Sequence, residues 1–229
     1  MSASGYSTGA LARGDFRAAL QTLEGSSADA VELSALRLAE LRPLVDAFAD
    51  LDLTRYKYVS VHAPSAFSPI EEIEIIDLLV QASLREWYVV VHPDSMHDVG
   101  RWAVLGQWLC LENMDKRKPV GRTTEELSEY FIKLPLAGLC FDIAHARQVD
   151  SSMTEAYRLI RAFHGRIRQI HISEVSTSSR HARISAAAAS DFREVASFLP
   201  PEAALIVEAP VRTEEVESEL AASRAAVCL

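Results

Sequence analysis

Nowhere in the 229 residues is there an uninterrupted apolar stretch long enough to cross a bilayer, which excludes a helical membrane span. Cysteine is scarce. Cys110, Cys140 and Cys228 show no metal-finger spacing and cannot all pair with one another, so a disulfide scaffold is excluded and a reducing compartment is expected, with the thiols read as small core fillers. Positive charge is also in deficit: 23 Lys and Arg against 32 Asp and Glu leave a net charge of −9, which repels a polyanion and disfavours duplex DNA as a partner. The first fifteen residues hold glycines, serines and charges where a secretory signal would have an apolar core, and the expected location is cytoplasmic.

What the chain does have is 49% hydrophobic residues in a length that one core serves well, so a single domain over residues 1–229 is expected. Compact apolar runs alternate with amphipathic stretches from end to end. The runs are Tyr6 to Leu11, Ala30 to Ser34, Tyr58 to His62, Tyr88 to His92, Trp108 to Glu112, Gly138 to Asp142, Ile167 to His171 and Ala204 to Glu208. Most are apolar on both faces, as parallel strands covered on both sides are. Helix-like segments separate them: Phe16 to Leu23, Leu36 to Ala49, Ile70 to Leu84, Met96 to Leu105, Thr124 to Leu134, Met153 to Phe163, Asp191 to Phe198 and Glu214 to Val227. In the segment after the third run, Ser68 is placed as N-cap and Pro69 in the first turn, with Ile73, Ile76, Leu79 and Val80 on one face. Eight such repeats predict a (β/α)8 TIM barrel. An open doubly wound sheet fits less well, because "TGALARGD" in and after the first run lacks the glycine fingerprint of a dinucleotide turn.

Six of the eight runs end in a side chain that binds metals or moves protons: His62, His92, Glu112, Asp142, His171 and Glu208. Strand C-termini of a parallel barrel open on one face, so these six are expected to converge on one opening and form a divalent-cation site. Mixed imidazole and carboxylate ligands suit zinc, manganese or iron better than calcium. Strand alternation would place Cys110 and Cys140 beneath Glu112 and Asp142. His145 and His181 extend the cluster, whereas His97 and His164 fall in helix-like segments and are read as surface residues. Basic residues gather in the loops of the same face, Lys116 and Arg117 in "DKRKP" and Arg180 and Arg183 after the seventh run, and are taken as substrate-binding groups for a phosphorylated or carboxylated molecule.

The ordered series "VELS", "VHAP", "VVHP", "LEN", "FDIAHA", "IHISE" and "VEAP" resembles the xylose-isomerase-like TIM-barrel superfamily, which includes sugar-phosphate isomerases, epimerases and the endonuclease IV repair enzymes. The resemblance implies that Glu112, Asp142, His171 and Glu208 form the superfamily's metal tetrad. It further implies that His62 and His92, with Glu112 bridging, complete a second metal site as in endonuclease IV. A third site there uses a histidine matched by His145 and an Asp-Arg-His triplet that here reads Ser179, Arg180, His181, so its carboxylate is missing. Glu174 or a substrate oxygen would have to help. The expected cofactor is one to three Zn or Mn ions, two favoured.

Two chemistries follow. In the first, adjacent cations assist hydrolysis of a phosphoester on a small anionic substrate, with Glu112, Glu208 and Asp142 as the catalytic carboxylates. In the second, a sugar or sugar-phosphate isomerase or epimerase holds one ion, and Glu112 and Glu208 exchange a proton from opposite sides of a substrate carbon. A catalytically inactive binding barrel is the third reading, and the intact tetrad argues against it. The oligomeric state is left open.

Overall fold

The computed structural model describes residues 3–227, so Cys228 lies outside the described residues. Its long strands are β1 (Ser4–Ser7), β2 (Ala30–Ser34), β3 (Tyr58–His62), β4 (Tyr88–Val91), β5 (Leu109–Glu112), β6 (Gly138–Asp142), β7 (Ile167–Ile172) and β10 (Ala204–Val207). These eight run parallel and close into a barrel in the order β1, β10, β7, β6, β5, β4, β3, β2. The remaining two, β8 (Glu174–Val175) and β9 (His181–Ala182), form an antiparallel hairpin above the barrel. Around the outside lie α1 (Thr8–Ala12), α2 (Phe16–Leu23), α3 (Leu38–Ala47), α4 (Pro69–Ser83), α5 (Thr124–Lys133), α6 (Ile143–Val149), α7 (Thr154–Phe163), α8 (Ala186–Ala196) and α9 (Val216–Ala226). The apolar core fills the layer between strands and helices. Among the described residues no helix is long and apolar enough to cross a membrane.

Four segments differ from the sequence expectation, each for a local reason. The first strand is Ser4–Ser7 and not Tyr6 to Leu11. Within it is Gly5, where an added Cβ would lie 1.7 Å from the Ala30 carbonyl oxygen, so only glycine permits the close approach to β2. Residues from Thr8 onward turn into α1, and Thr8 Oγ1 accepts from the Ser34 backbone N–H at 2.8 Å. "SAAAAS", which reads as a short low-complexity tract, opens α8: Ser185 caps it by accepting from Ala188 N, and alanine propagates the helix. "IAHARQV" adds α6 directly after β6, where the sequence predicts a helix only from Met153.

The fourth difference lies after β4, where 3-10 segments at Pro93–Ser95 and Val99–Trp108 stand in place of the expected helix from Met96 to Leu105. This stretch is held by Glu72 of α4. The Glu72 carboxylate is buried and accepts from the backbone N–H groups of His97 and Asp98 and from the indole N–H of Trp102, at 2.8 to 3.0 Å. The inward face of α4 is accordingly Glu72, Ile75, Ile76 and Leu79, and Ile73 is on the solvent side. The capping box of α4 forms as expected from Ser68, with Glu71 answering it.

Replacing Glu72 with alanine would leave one buried donor, the Trp102 indole N–H, and two part-buried backbone donors without an acceptor. Glu72→Ala is therefore expected to destabilise the fold by about 3 kcal/mol in urea unfolding. An effect of a few tenths of a kcal/mol would mean that water supplies those hydrogen bonds.

Candidate metal centre

The inward side chains of the barrel form two layers because side chains alternate along each strand. The upper layer is His62 of β3, His92 just past β4, Glu112 of β5, Asp142 of β6, His171 of β7 and Glu208 just past β10. The layer below reaches across the barrel: Gln169 donates to Glu32 at 2.5 Å and accepts from Tyr58 OH at 2.9 Å. Cys110 and Cys140 are buried free thiols in this lower region, packed with Val90.

Glu112 is the hub. Its Oε2 lies 3.1 Å from His62 Nε2, 3.4 Å from His92 Nε2 and 3.6 Å from His171 Nδ1, and its Oε1 lies 3.2 Å from His145 Nδ1. Donor atoms of Glu112, Asp142, His171 and Glu208 fall within 4.8 Å of one another, and so do those of His62, His92 and Glu112. Glu112, Cys140 and His171 form a third such set, so Glu112 is common to all three.

The backbone and the lower layer orient these donors. His62 Nδ1 is 2.7 Å from the Ala63 carbonyl, so its proton belongs there and Nε2 is the atom directed at the centre. His171 Nε2 is 3.0 Å from Glu32 Oε2 and 2.6 Å from the Gln169 amide nitrogen, which together hold the ring by that edge and leave Nδ1, buried and without a hydrogen-bond partner, facing Glu112 and Glu208. Asp142 caps α6 by accepting from His145 N at 2.7 Å through Oδ1, and its Oδ2 is likewise buried without a hydrogen-bond partner. Asn113 brackets the Asp142 backbone, donating to its carbonyl and accepting from its N–H at 2.8 Å each. These two orphaned donors, with the nitrogen and oxygen set around them, fit a zinc- or manganese-type ion.

Burial alone would lower the pKa of His62, yet its hydrogen bond to Glu112 and the charges of Glu32 and Glu112 outweigh this and raise it to about 9. His145 is similarly raised, against burial, to about 10 by Asp142 and Glu112. Burial drives His92 down, whereas burial and the neighbouring Glu208 and Glu112 charges push Asp142 up to about 6.

Above the centre is a cavity of ≈ 710 Å³ whose walls include His62, His92, Glu112, His145, His181 and Glu208. His181 lies on the hairpin, its Nδ1 2.9 Å from Ser173 Oγ and its ring 5.7 Å from that of His145. Ser179 Oγ donates to Asp115 at 2.7 Å, and Glu174 accepts from Ser185 N outside the cavity. Of the four basic residues taken as substrate-binding, Arg117 and Arg180 line the cavity. Lys116 does not, and Arg183 is drawn away by Glu219 and Glu215 of the last helical segment, at 2.8 and 3.0 Å. Arg13 and Lys118 line it instead. Sequence reading missed Arg13, Glu32, Asn113 and Lys118. Two of these carried a signal: Glu32, an acid in the middle of the otherwise apolar run "AVELS", and Lys118, which lies in the basic loop "DKRKP". His97 and His164 are on the surface.

A cation must displace protons from His62 and His145, which favour the protonated form below about 9 and about 10. Zinc affinity is therefore expected to rise steadily from pH 6 to pH 8 with net proton release, measurable by calorimetry in buffers of different ionisation enthalpy. Glu32→Gln is expected to weaken zinc binding about 10- to 100-fold through loss of His171 orientation. An unchanged affinity would remove Glu32 from the site.

At the level of sequence, no family model and no curated protein matches the chain. Solved structures do. Endonuclease IV from Thermus thermophilus superposes with a TM-score of 0.64 at 22% identity, over 98% of each chain. An IolI protein with a bound zinc atom gives 0.65 at 13% identity, over 98% of each chain. The 3-keto-D-glucoside 4-epimerase YcjR from E. coli gives 0.60 at 12% identity, over 98% of this chain and 99% of that one. The closed parallel barrel, the strand order and these superpositions together show that the chain has a single closed (β/α)8 TIM-barrel fold of the kind these proteins share.

Proposed function

We propose that the chain is a divalent-metal-dependent enzyme that hydrolyses a phosphoester on a small anionic substrate, with Zn or Mn as the cofactor and two ions favoured. The observation that carries this reading is the sharing of Glu112 between two adjacent ligand groups, since a one-ion centre has no use for His62 and His92 as ligands. Ions held there would supply charge neutralisation at the phosphoryl group and acidify a water molecule. The protein's part is orientation and proton transfer. Glu208 is half-buried at the cavity wall, its Oε2 3.5 Å from His171 and 3.6 Å from His181, where it can accept the proton of an entering water. Asp142, raised to about 6 by burial, is near the pH at which a carboxyl both takes and releases protons. His145 and His181 lie beside the opening for a third ion or the substrate itself, and Arg117 and Arg180 suit an anionic ligand. A cavity of ≈ 710 Å³ suits a small molecule and supports the reading against duplex DNA.

One observation favours the isomerase or epimerase reading. Glu112 and Glu208 approach the same His171 Nδ1, at 3.6 and 3.5 Å, so two carboxylates flank the position where one ion would bind a substrate's vicinal oxygens. Those two acids could then exchange a proton across one carbon.

Ion stoichiometry by mass spectrometry of the purified protein, with rates on phosphoesters and on sugar phosphates, separates the two. The hydrolase reading expects two ions per chain, one lost in His62→Ala or His92→Ala, and a fall in phosphoesterase rate of about 100-fold or more in Glu208→Gln. One ion, indifferent to both histidine substitutions, with epimerisation that needs Glu112 and Glu208, would establish the other reading.

A further inference from the structure

Of the four basic residues lining the cavity, two already have partners. Lys118 is paired with Asp94 at 2.8 Å, and Arg117 donates to the Ser178 carbonyl at 2.6 Å, bracing the β8–β9 hairpin against the loop after β5. Arg13 and Arg180 line the same cavity and have no carboxylate partner among the described residues, in a chain where acids outnumber bases by nine. They also share a position in the fold. Arg13 follows α1 above β1, and Arg180 stands on the hairpin that follows β7, so the two rise on either side of β10, the strand that leads into Glu208.

Arg13 carries a second mark. It terminates α1 with φ 54° and ψ −119°, a conformation that side chains with a Cβ avoid and that glycine takes at Gly106, with φ 56° and ψ −129°. Glycine is the very next residue, Gly14, yet the strained place is held by arginine. A position that would be more stable as glycine but presents a guanidinium to a cavity is the pattern of strain retained at a binding site.

Resting on the reading of the cavity as a substrate site, we infer that Arg13 and Arg180 form an anion clamp at the mouth above β10. The substrate class is thereby narrowed to small molecules with two anionic ends: a phosphoryl group directed to the His and carboxylate cluster and a second anionic group, carboxylate or phosphate, held between the two guanidinium groups. Guanidinium binds either anion through paired N–H donors, which makes the clamp a determinant of which phosphoesters enter.

The test uses three probes on one three-carbon chain, 3-hydroxypropyl phosphate, 3-(phosphonooxy)propanoate and propane-1,3-diyl bisphosphate, titrated by calorimetry into the zinc-loaded protein. At least one doubly anionic probe is expected to bind about tenfold more tightly than the hydroxyl probe, and which one does names the second group. Arg13→Gly and Arg180→Ala should each bring the preferred doubly anionic probe down to the affinity of the hydroxyl probe for the same variant, while Lys133→Ala, a distant surface change, alters nothing. Arg13→Gly should also raise the melting temperature by about 2 to 4 °C as the strain is released, so a loss of affinity there is not a loss of fold. Equal binding of all three probes, no binding of any, or a preference that survives both arginine substitutions overturns the clamp. Zinc content of the same samples is read separately. A bare protein that still prefers the dianions keeps the clamp and overturns the metal-centre reading, and a loaded protein without the preference does the reverse.

Discussion

The buried carboxylate of Glu112 is the constraint on which the upper barrel is organised. An isolated carboxylate at 1% exposure would be severely penalised, and here four imidazoles from four other elements surround it. Burial raises its pKa, and His171, His92 and His145 more than reverse that, holding the carboxyl well below its ordinary range. The histidines answer unequally: His62 and His145 are drawn toward the protonated form, while burial draws His92 the other way. Such divergence among neighbouring groups marks sites arranged for cation binding or proton transfer more often than ordinary surface ion pairs.

The lower layer makes this arrangement directional. Glu32 is wholly buried, and its pKa is lowered because His171, His62 and Gln169 outweigh the effect of burial. By holding one nitrogen of His171 it determines which nitrogen the centre receives, and the Tyr58–Gln169–Glu32 chain ties that choice to β2, β3 and β7. Below, burial pushes the Cys110 thiol up to about 12, so it is inert packing and competes for no proton.

The loops give the rim an asymmetric chemistry. Over β1, β2 and β3 the wall is mostly small and weakly polar, with Gly9, Ala10, Ser34 and Ala63, and Arg13 after α1 brings it a basic group. The β5 loop and the hairpin contribute Arg117, Lys118, Arg180 and His181. The hairpin is itself tied down, with Gln148 donating to the Ser176 carbonyl at 2.6 Å and Arg117 to that of Ser178. Rim groups placed by such short ties can select a ligand without any change to the barrel beneath, as is general for enzymes on this fold.

The periodicity of apolar runs was enough to read eight strands and a closed barrel, because parallel strands buried on both faces leave a strong local signature. The polar ends of the runs were legible for the same reason: a charged residue closing an apolar strand is conspicuous, and strand polarity places all such ends on one face. Tertiary structure alone decided what depends on contacts distant in sequence. Gly5 falls outside the first apolar run and joins β1 through the Ala30 backbone beside it, and Glu72, left off the apolar face read for its helix, is buried because it meets the loop after β4. Arg183 has the same local character as Arg180, but Glu219, 36 residues on, turns it outward. Local sequence encodes which strands form and what they carry at their tips. Which charges pair, and which remain free to meet a ligand, is settled only when the closing barrel brings distant segments within hydrogen-bonding distance.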